Sequence, residues 1–155
     1  MESLANQAFE HIRITLTTLQ PKSFTNIEAT LMDIAILASR GQRAFQVSFA
    51  SEGVPWPLST FVKQKIFAIF REAVTNVQKH SDASQLEIRF LWAEALLTIS
   101  VADDGNGMDM TFQAQDDHYG IAIMHERAKE FHGRLEIQSN LGPGTFVTLY
   151  LPMDP

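Results

Sequence analysis

Residues 71–80 read Arg71-Glu72-Ala73-Val74-Thr75-Asn76-Val77-Gln78-Lys79-His80, and residues 103–108 read Asp103-Asp104-Gly105-Asn106-Gly107-Met108. The first stretch closes a run from Leu58 to His80 in which Val62, Ile66, Phe67, Phe70, Ala73, Val74 and Val77 recur at three and four, the period of a long helix facing a core. Each residue turns a helix by about 100°, so Glu72, Asn76, Lys79 and His80 share one stripe, roughly a right angle from the centre of the apolar face. On the rim of a cleft, an Asn amide oxygen beside a carboxylate makes a hard-oxygen site for Mg²⁺, with Lys79 and His80 placed for phosphate oxygens. Read alone, the same stripe is the solvated face of a helix.

The second stretch follows a strand pattern. Leu86, Ile88 and Phe90 alternate, a turn near Glu94 follows, and Leu97, Ile99 and Val101 alternate again, which predicts an antiparallel hairpin running into Asp103. Two glycines in Asp103-x-Gly105-x-Gly107 permit close approach of a ligand to backbone. A carboxylate there can accept a hydrogen bond from an exocyclic amine such as that of adenine, and burial would make it discriminate strongly. The competing reading is an Asp-Gly turn with its acids in solvent.

Working outward, Leu4, Ala8, Ile12, Leu16 and Leu19 give a first helix that Pro21 stops, and Ile27 to Arg40 a second that ends at Gly41. Phe45, Val47 and Phe49 alternate as a strand before a loop at Gly53, Pro55 and Pro57. Met108 to His118 has no period and reads as a mobile loop. A helix from about Ile121 to Gly133 and a hairpin of Leu135–Gln138 with Thr145–Leu151 complete the order. Helices alternating with such strands suit a two-layer α+β sandwich, a mixed sheet with helices on one face. His118-Tyr119-Gly120 falls where the loop meets the predicted helix, whose free N–H groups and dipole favour a phosphate. Gly142-Pro143-Gly144-Thr145 sets a hydroxyl before the last strand, able to meet a phosphate or Asp103, or simply to begin the strand.

Composition narrows the classes. A chain of 155 residues with 45% hydrophobic residues can bury one core. It contains no apolar run of eighteen and no signal-peptide pattern after Met1. A formal charge of −6 argues against non-specific nucleic-acid binding, and zero cysteines remove disulfides and thiolate chemistry, which fits a reducing cytoplasm. His118, His125 and His132 stand seven apart, about 10 Å along a helix, too far to share one ion. Neither a Gly-x-x-x-x-Gly-Lys-Ser/Thr loop nor a Gly-x-Ser-x-Gly elbow is present.

Taken in order, Arg71–His80, Asp103–Met108, Gly120-Ile121-Ala122-Ile123-Met124-His125-Glu126-Arg127-Ala128 and Gly142–Thr145 resemble the N, G1 and G2 boxes of GHKL-type ATPases. Their wording is similar to sensor histidine kinases that partner LuxR-type response regulators, and Asp117 to Met124 is most similar to nitrate/nitrite sensor kinases. The resemblance implies the Bergerat fold, with ATP and Mg²⁺ as cofactors. It implies that Asn76 holds the metal, that Glu72 serves the metal or its waters and catalysis, that Asp103 takes the adenine amine, and that Lys79 and His80 meet phosphates. Gly105, Gly107, Met108, His118, Tyr119, Gly120, Ile121 and Thr145 would line the pocket or hinge its lid.

It further implies residues 1–22 as the end of a dimerisation helix and linker, and 23–155 as the ATP-binding domain. A phosphoacceptor would lie outside this stretch, since His11 is followed by Ile12-Arg13 rather than an acid. The expectation is a cytoplasmic portion of an inner-membrane, homodimeric receptor, active only with its dimerisation segment. An anti-sigma-factor serine kinase, or a nucleotide-binding module without catalysis, are the alternatives. Three departures stand out: Asp104 where the family usually has Asn, Gln78 for a commonly apolar residue, and a single Gly120 where many kinases have two glycines.

Overall fold

The computed structural model describes residues 26–41, 43–107, 115–139 and 144–153, with backbone alone at 80, 81 and 115–118. The expected helix at 4–19 and the linker therefore lie outside the described residues. In order, the chain forms α1 (Ile27–Ser39), β1 (Gln46–Gly53), α2 (Thr60–Asn76) continuing into a π turn (Val77–Ser81), and β2 (Gln85–Trp92). It continues with β3 (Leu96–Asp103), α3 (Gln115–Lys129), β4 (Arg134–Ser139) and β5 (Thr145–Pro152).

The strands make one mixed sheet in the order β1-β2-β3-β5-β4. β1 runs parallel to β2, and every other neighbouring pair is antiparallel. A parallel pair cannot be closed by a hairpin, so α2 serves as the crossover between β1 and β2. Burial alternates along β2, β3 and β5, as a sheet with one covered face requires. Leu86, Ile88, Phe90, Leu97, Ile99, Val101 and Leu149 join Leu31, Ile34, Ile66, Phe70, Val74 and Met124 from the helices in one core. The two-layer α+β reading of the sequence holds.

Local signals explain most boundaries. Asn26 caps α1 by accepting from the Ala29 N–H at 3.2 Å, and Ser59 caps α2 by accepting from Val62 at 3.2 Å. Strand β1 runs through the predicted loop residue Gly53, whose backbone lies against the Trp92 carbonyl. At that end of the sheet Trp92 and Trp56 meet edge to face at 5.5 Å, and Trp92 lies nearly parallel to Phe90 at 6.1 Å. The Trp92 indole donates to Glu28 at 2.6 Å, as does the Ser51 hydroxyl at 2.6 Å, tying α1 to β1 and β2.

Two helices differ from the sequence expectation. The predicted helix Leu58–His80 is α only to Asn76, after which hydrogen bonding widens to the π pattern and Asp82, in the left-handed region at φ 48°, ends it. Helix α3 begins at Gln115, not near Ile121, because residues 115–118 carry no apolar side chain from which a period can be read. Its end is a Schellman turn: Gly133 N–H donates to Ala128 O at 2.9 Å and His132 N–H to Lys129 O at 3.1 Å. The left-handed residue there is His132, φ 59°, one position before the expected Gly133. Among the described residues no helix is long and apolar enough to cross a membrane.

A side chain with a Cβ is disfavoured at that left-handed position. His132→Gly is expected to raise unfolding stability by about 1 kcal/mol, read as a higher chemical-denaturation midpoint with an unchanged slope.

Candidate functional site

The alternation that buries Leu97, Ile99 and Val101 carries one step further to Asp103, so the central strand delivers a carboxylate to the covered face at its last residue. Asp103 is 6% exposed. Its Oδ1 accepts from the Gly105 N–H at 2.8 Å, and the Thr145 N–H also donates to the carboxylate. Burial pushes its pKa above the ordinary value of 3.8; the Gly105 N–H opposes this, the Asp104 charge adds to it, and the Thr145 N–H opposes it.

Asp104 points the other way. It accepts from the Ser84 hydroxyl at 2.5 Å and from the N–H groups of Ser84 and Gln85 at 2.8 Å each, fastening the end of β3 to the start of β2. Those bonds, the Ser84 hydroxyl first, lower its pKa. The acid that departs from the family's usual Asn thus anchors the strand end, and its charge acts on Asp103.

Asp103 forms the polar floor of a narrow cleft. Ala73, Asn76 and Val77 of α2 and its π turn face Met124 of α3, with Val101, Ile137, Val147 and Thr145 from the sheet between them. Apolar walls around one buried acceptor suit a flat heteroaromatic ring that carries an amine. Asn76 sets an amide at the same cleft, so Asp103, Asn76 and Thr145, far apart in sequence, come together. The Thr145 hydroxyl pairs with Ser139 Oγ at 2.9 Å, and it is the Thr145 backbone that meets Asp103.

Other expected residues fall elsewhere. Gly120 lies inside α3 rather than at its start, so its N–H is not among the free ones of the helix N-terminus. A Cβ on Gly120 would meet the carboxylate end of the flexible Glu72 side chain, which marks where α3 lies close to α2. Tyr119 is 71% exposed on α3, and Ile121 packs on the core. His118 is placed by backbone only, in the first turn of α3. Lys79 and His80 belong to the π turn, so they leave the α-helical stripe drawn from Glu72 to Asn76. Gly105 is buried beside Asp103, and Gly107 takes φ 71° at the strand exit. Met108, Gly142 and Pro143 lie outside the described residues.

The apolar wall of Ala73, Val77, Val101, Met124, Ile137 and Val147 was not foreseen as a pocket. The available signal was an acid continuing the buried register of β3. Among the described residues no three His, Asp or Glu side chains converge on a metal position. A hard cation here fits the amide oxygen of Asn76 only with most of its ligands supplied by phosphate oxygens and water.

Against this geometry, residues 62–155 match the family described as histidine kinase-, DNA gyrase B- and HSP90-like ATPases. The chain belongs to that family. Sensor histidine kinase LiaS of Bacillus subtilis is 35% identical over 98 residues, covering 63% of this chain and 27% of that protein. An uncharacterized sensor-like histidine kinase of Chloroflexus aurantiacus is 30% identical over 102 residues, covering 63% of this chain and 17% of its own length. This chain therefore spans about a quarter or less of these relatives.

Solved structures agree in fold. The histidine kinase domain of the Erythrobacter litoralis EL346 blue-light activated kinase superposes with TM-score 0.67 at 22% identity, covering 81% of this chain and 60% of that one. Acinetobacter baumannii AdeS gives 0.68 at 14%, covering 85% and 66%. Full-length ShkA in complex with AMPPNP gives 0.68 at 20%, covering 83% and 30%. The GHKL ATPase fold is thereby established, and family membership makes ATP the ligand of the domain.

Because the folded state holds the Asp103 proton more tightly than the unfolded chain does, its ionisation subtracts stability as pH rises from 3.8 through the raised value. The unfolding midpoint of Asp103→Asn should therefore gain on wild type from acid to neutral pH, followed by thermal melts across that range. Gly144 has φ 88°, and a Cβ there would overlap the Asp103 carbonyl. Gly144→Ala should cost about 2 kcal/mol or more by chemical denaturation.

Proposed function

We propose that this domain is the ATP-binding catalytic part of a sensor histidine kinase that positions the γ-phosphate of ATP for a phosphoacceptor histidine outside residues 1–155. The buried Asp103 carboxylate, with Asn76 on the facing helix, is the observation that carries the reading. Relatives named as sensor histidine kinases favour it over the serine-kinase and non-catalytic alternatives.

In this reading Asp103 accepts from the adenine amine while Val101, Met124, Ile137 and Val147 enclose the ring. Ionised Asp103 is the form that accepts, so base binding weakens as pH falls through its raised value. Asn76 orients the phosphate end through its amide oxygen, and Glu72, one helical turn earlier with its carboxylate beside Gly120, orders water or takes a proton in this reading. The family resemblance assigns Lys79, His80 and His118 to the phosphates in this reading. Mg·ATP, when bound, supplies the phosphoryl group and the charge neutralisation that its transfer requires.

We further infer that residues 23–155 form this domain and that 1–22 end a dimerisation helix and linker. The partners would be that dimerisation segment and a LuxR-type response regulator. The receptor would be a membrane-anchored homodimer with this part in the cytoplasm. The wording of Asp117 to Met124 supports a nitrate or nitrite signal.

Calorimetric titration of the 155-residue chain with ATP and Mg²⁺ tests the site. Saturable binding is expected, weakened at least about 30-fold by Asp103→Asn, which leaves a buried acceptor site mispaired. Asn76→Ala should abolish the Mg²⁺ dependence. Equal affinity of wild type and Asp103→Asn would refute the placement of the base. Glu72→Gln should bind ATP normally and fail in phosphoryl transfer when the dimerisation segment is supplied.

A further inference from the structure

The residue after Val77 is Gln78, where an apolar side chain would suit the helical pattern. Its half-buried side chain leaves the nucleotide side and crosses to the end of α1, where Nε2 donates to the Ala38 carbonyl at 2.8 Å. Carbonyls of a helix's last turn lack intrahelical partners, and the Ala38 carbonyl accepts this bond together with the Gly41 N–H at 3.2 Å. An ideal Cβ on Gly41 would stand 3.6 Å from that same Nε2, so the end of α1 fits closely around the amide.

Four residues later Asp82, left-handed at φ 48°, pairs with Arg43 at 2.9 Å and accepts from Asn106 at 3.5 Å. Gln78, near the start of the π turn, is thus tied to the last turn of α1, and Asp82, which ends it, to Arg43 after α1 and to the exit of β3. Asn76, immediately before the turn, faces the cleft instead. A π turn holds one more residue between bonded groups than an α turn, and such insertions persist where tertiary contacts favour them. Here those contacts are side-chain bonds made by Gln78 within the turn and by Asp82, which ends it.

We propose that Gln78 is a positioning residue for the phosphate end of the site. Its bond to Ala38, with the Asp82–Arg43 pair, holds Val77–Ser81 in the π register and so sets where Lys79 and His80 stand relative to Asn76. The proposal rests on the reading that Lys79 and His80 meet phosphates. Gln78 touches neither base nor phosphate; it acts through the turn. Loss of the bond lets the turn relax toward α register, which moves Lys79 and His80 by about one residue's rotation while leaving Asp103 and the apolar walls in place.

The test compares affinity for adenosine, which engages only the base site, with affinity for Mg·ADP, on wild type and Gln78→Met. Gln78→Met keeps length and volume without a donor. Adenosine affinity should be unchanged, while the gain that the phosphates add should shrink about fivefold, the worth of one hydrogen bond's positioning. An undiminished gain in a normally melting Gln78→Met overturns the proposal and leaves the phosphate reading standing. A wild type that gains nothing from phosphates overturns both. Should Gln78→Met fail to fold, Gln78→Ser, polar but too short to reach Ala38, replaces it with the same two outcomes.

Discussion

A carboxylate held in an apolar interior at the end of the central strand is the constraint on which the other features depend. Burial disfavours its charge, and the two backbone N–H groups aimed at it, from Gly105 and Thr145, only partly offset this. Those donors require the chain to turn at once after β3 and require β5 to begin beside it. The close packing of Gly144 on the Asp103 backbone follows from the same geometry. The cleft is built around an acceptor that protein groups satisfy incompletely in strength, and that is what makes it selective for a donor of matching shape.

Two adjacent acids divide the work by strand alternation. Asp103 faces in and is raised; Asp104 faces out, is lowered by Ser84 and Gln85, and fastens two strands. A one-residue slip of β3 would exchange them, burying the acid that needs its three donors and exposing the one that defines the site. The register of β3 between two antiparallel neighbours is therefore as much a part of the site as Asp103 itself.

Much of this was legible from residue patterns. The alternation in β2 and β3 matches the buried residues of the covered face, and Asn76 lines the cleft. Two failures have physical causes. Periodicity is carried by apolar residues, so the first turn of α3, which has none, was invisible, and Gly120 was assigned to a helix start that it does not occupy. A stripe drawn at α-helical spacing also cannot anticipate a π turn, because that depends on a bond from Gln78 to a carbonyl forty residues away. The apolar cleft wall was missed for a third reason: core and pocket use the same side chains, and only tertiary packing separates Val101 and Met124 from the interior proper.

The parallel pairing of β1 with β2 has an architectural consequence. Helix α2 is threaded between two adjacent strands, so its length and path are set by the sheet, and any insertion between Gly53 and Gln85 must be absorbed without displacing either strand. Helix α3 is a crossover as well: β3 and β4 both run antiparallel to β5, which lies between them, so they are parallel to each other and α3 must carry the chain over β5. Both jaws of the cleft are therefore crossover helices whose paths the sheet sets. The cleft is thus bounded by two helices that each bridge parallel strands, while its acidic floor is carried by the central strand between them, and a change in the length of either helix is transmitted to the sheet that holds Asp103.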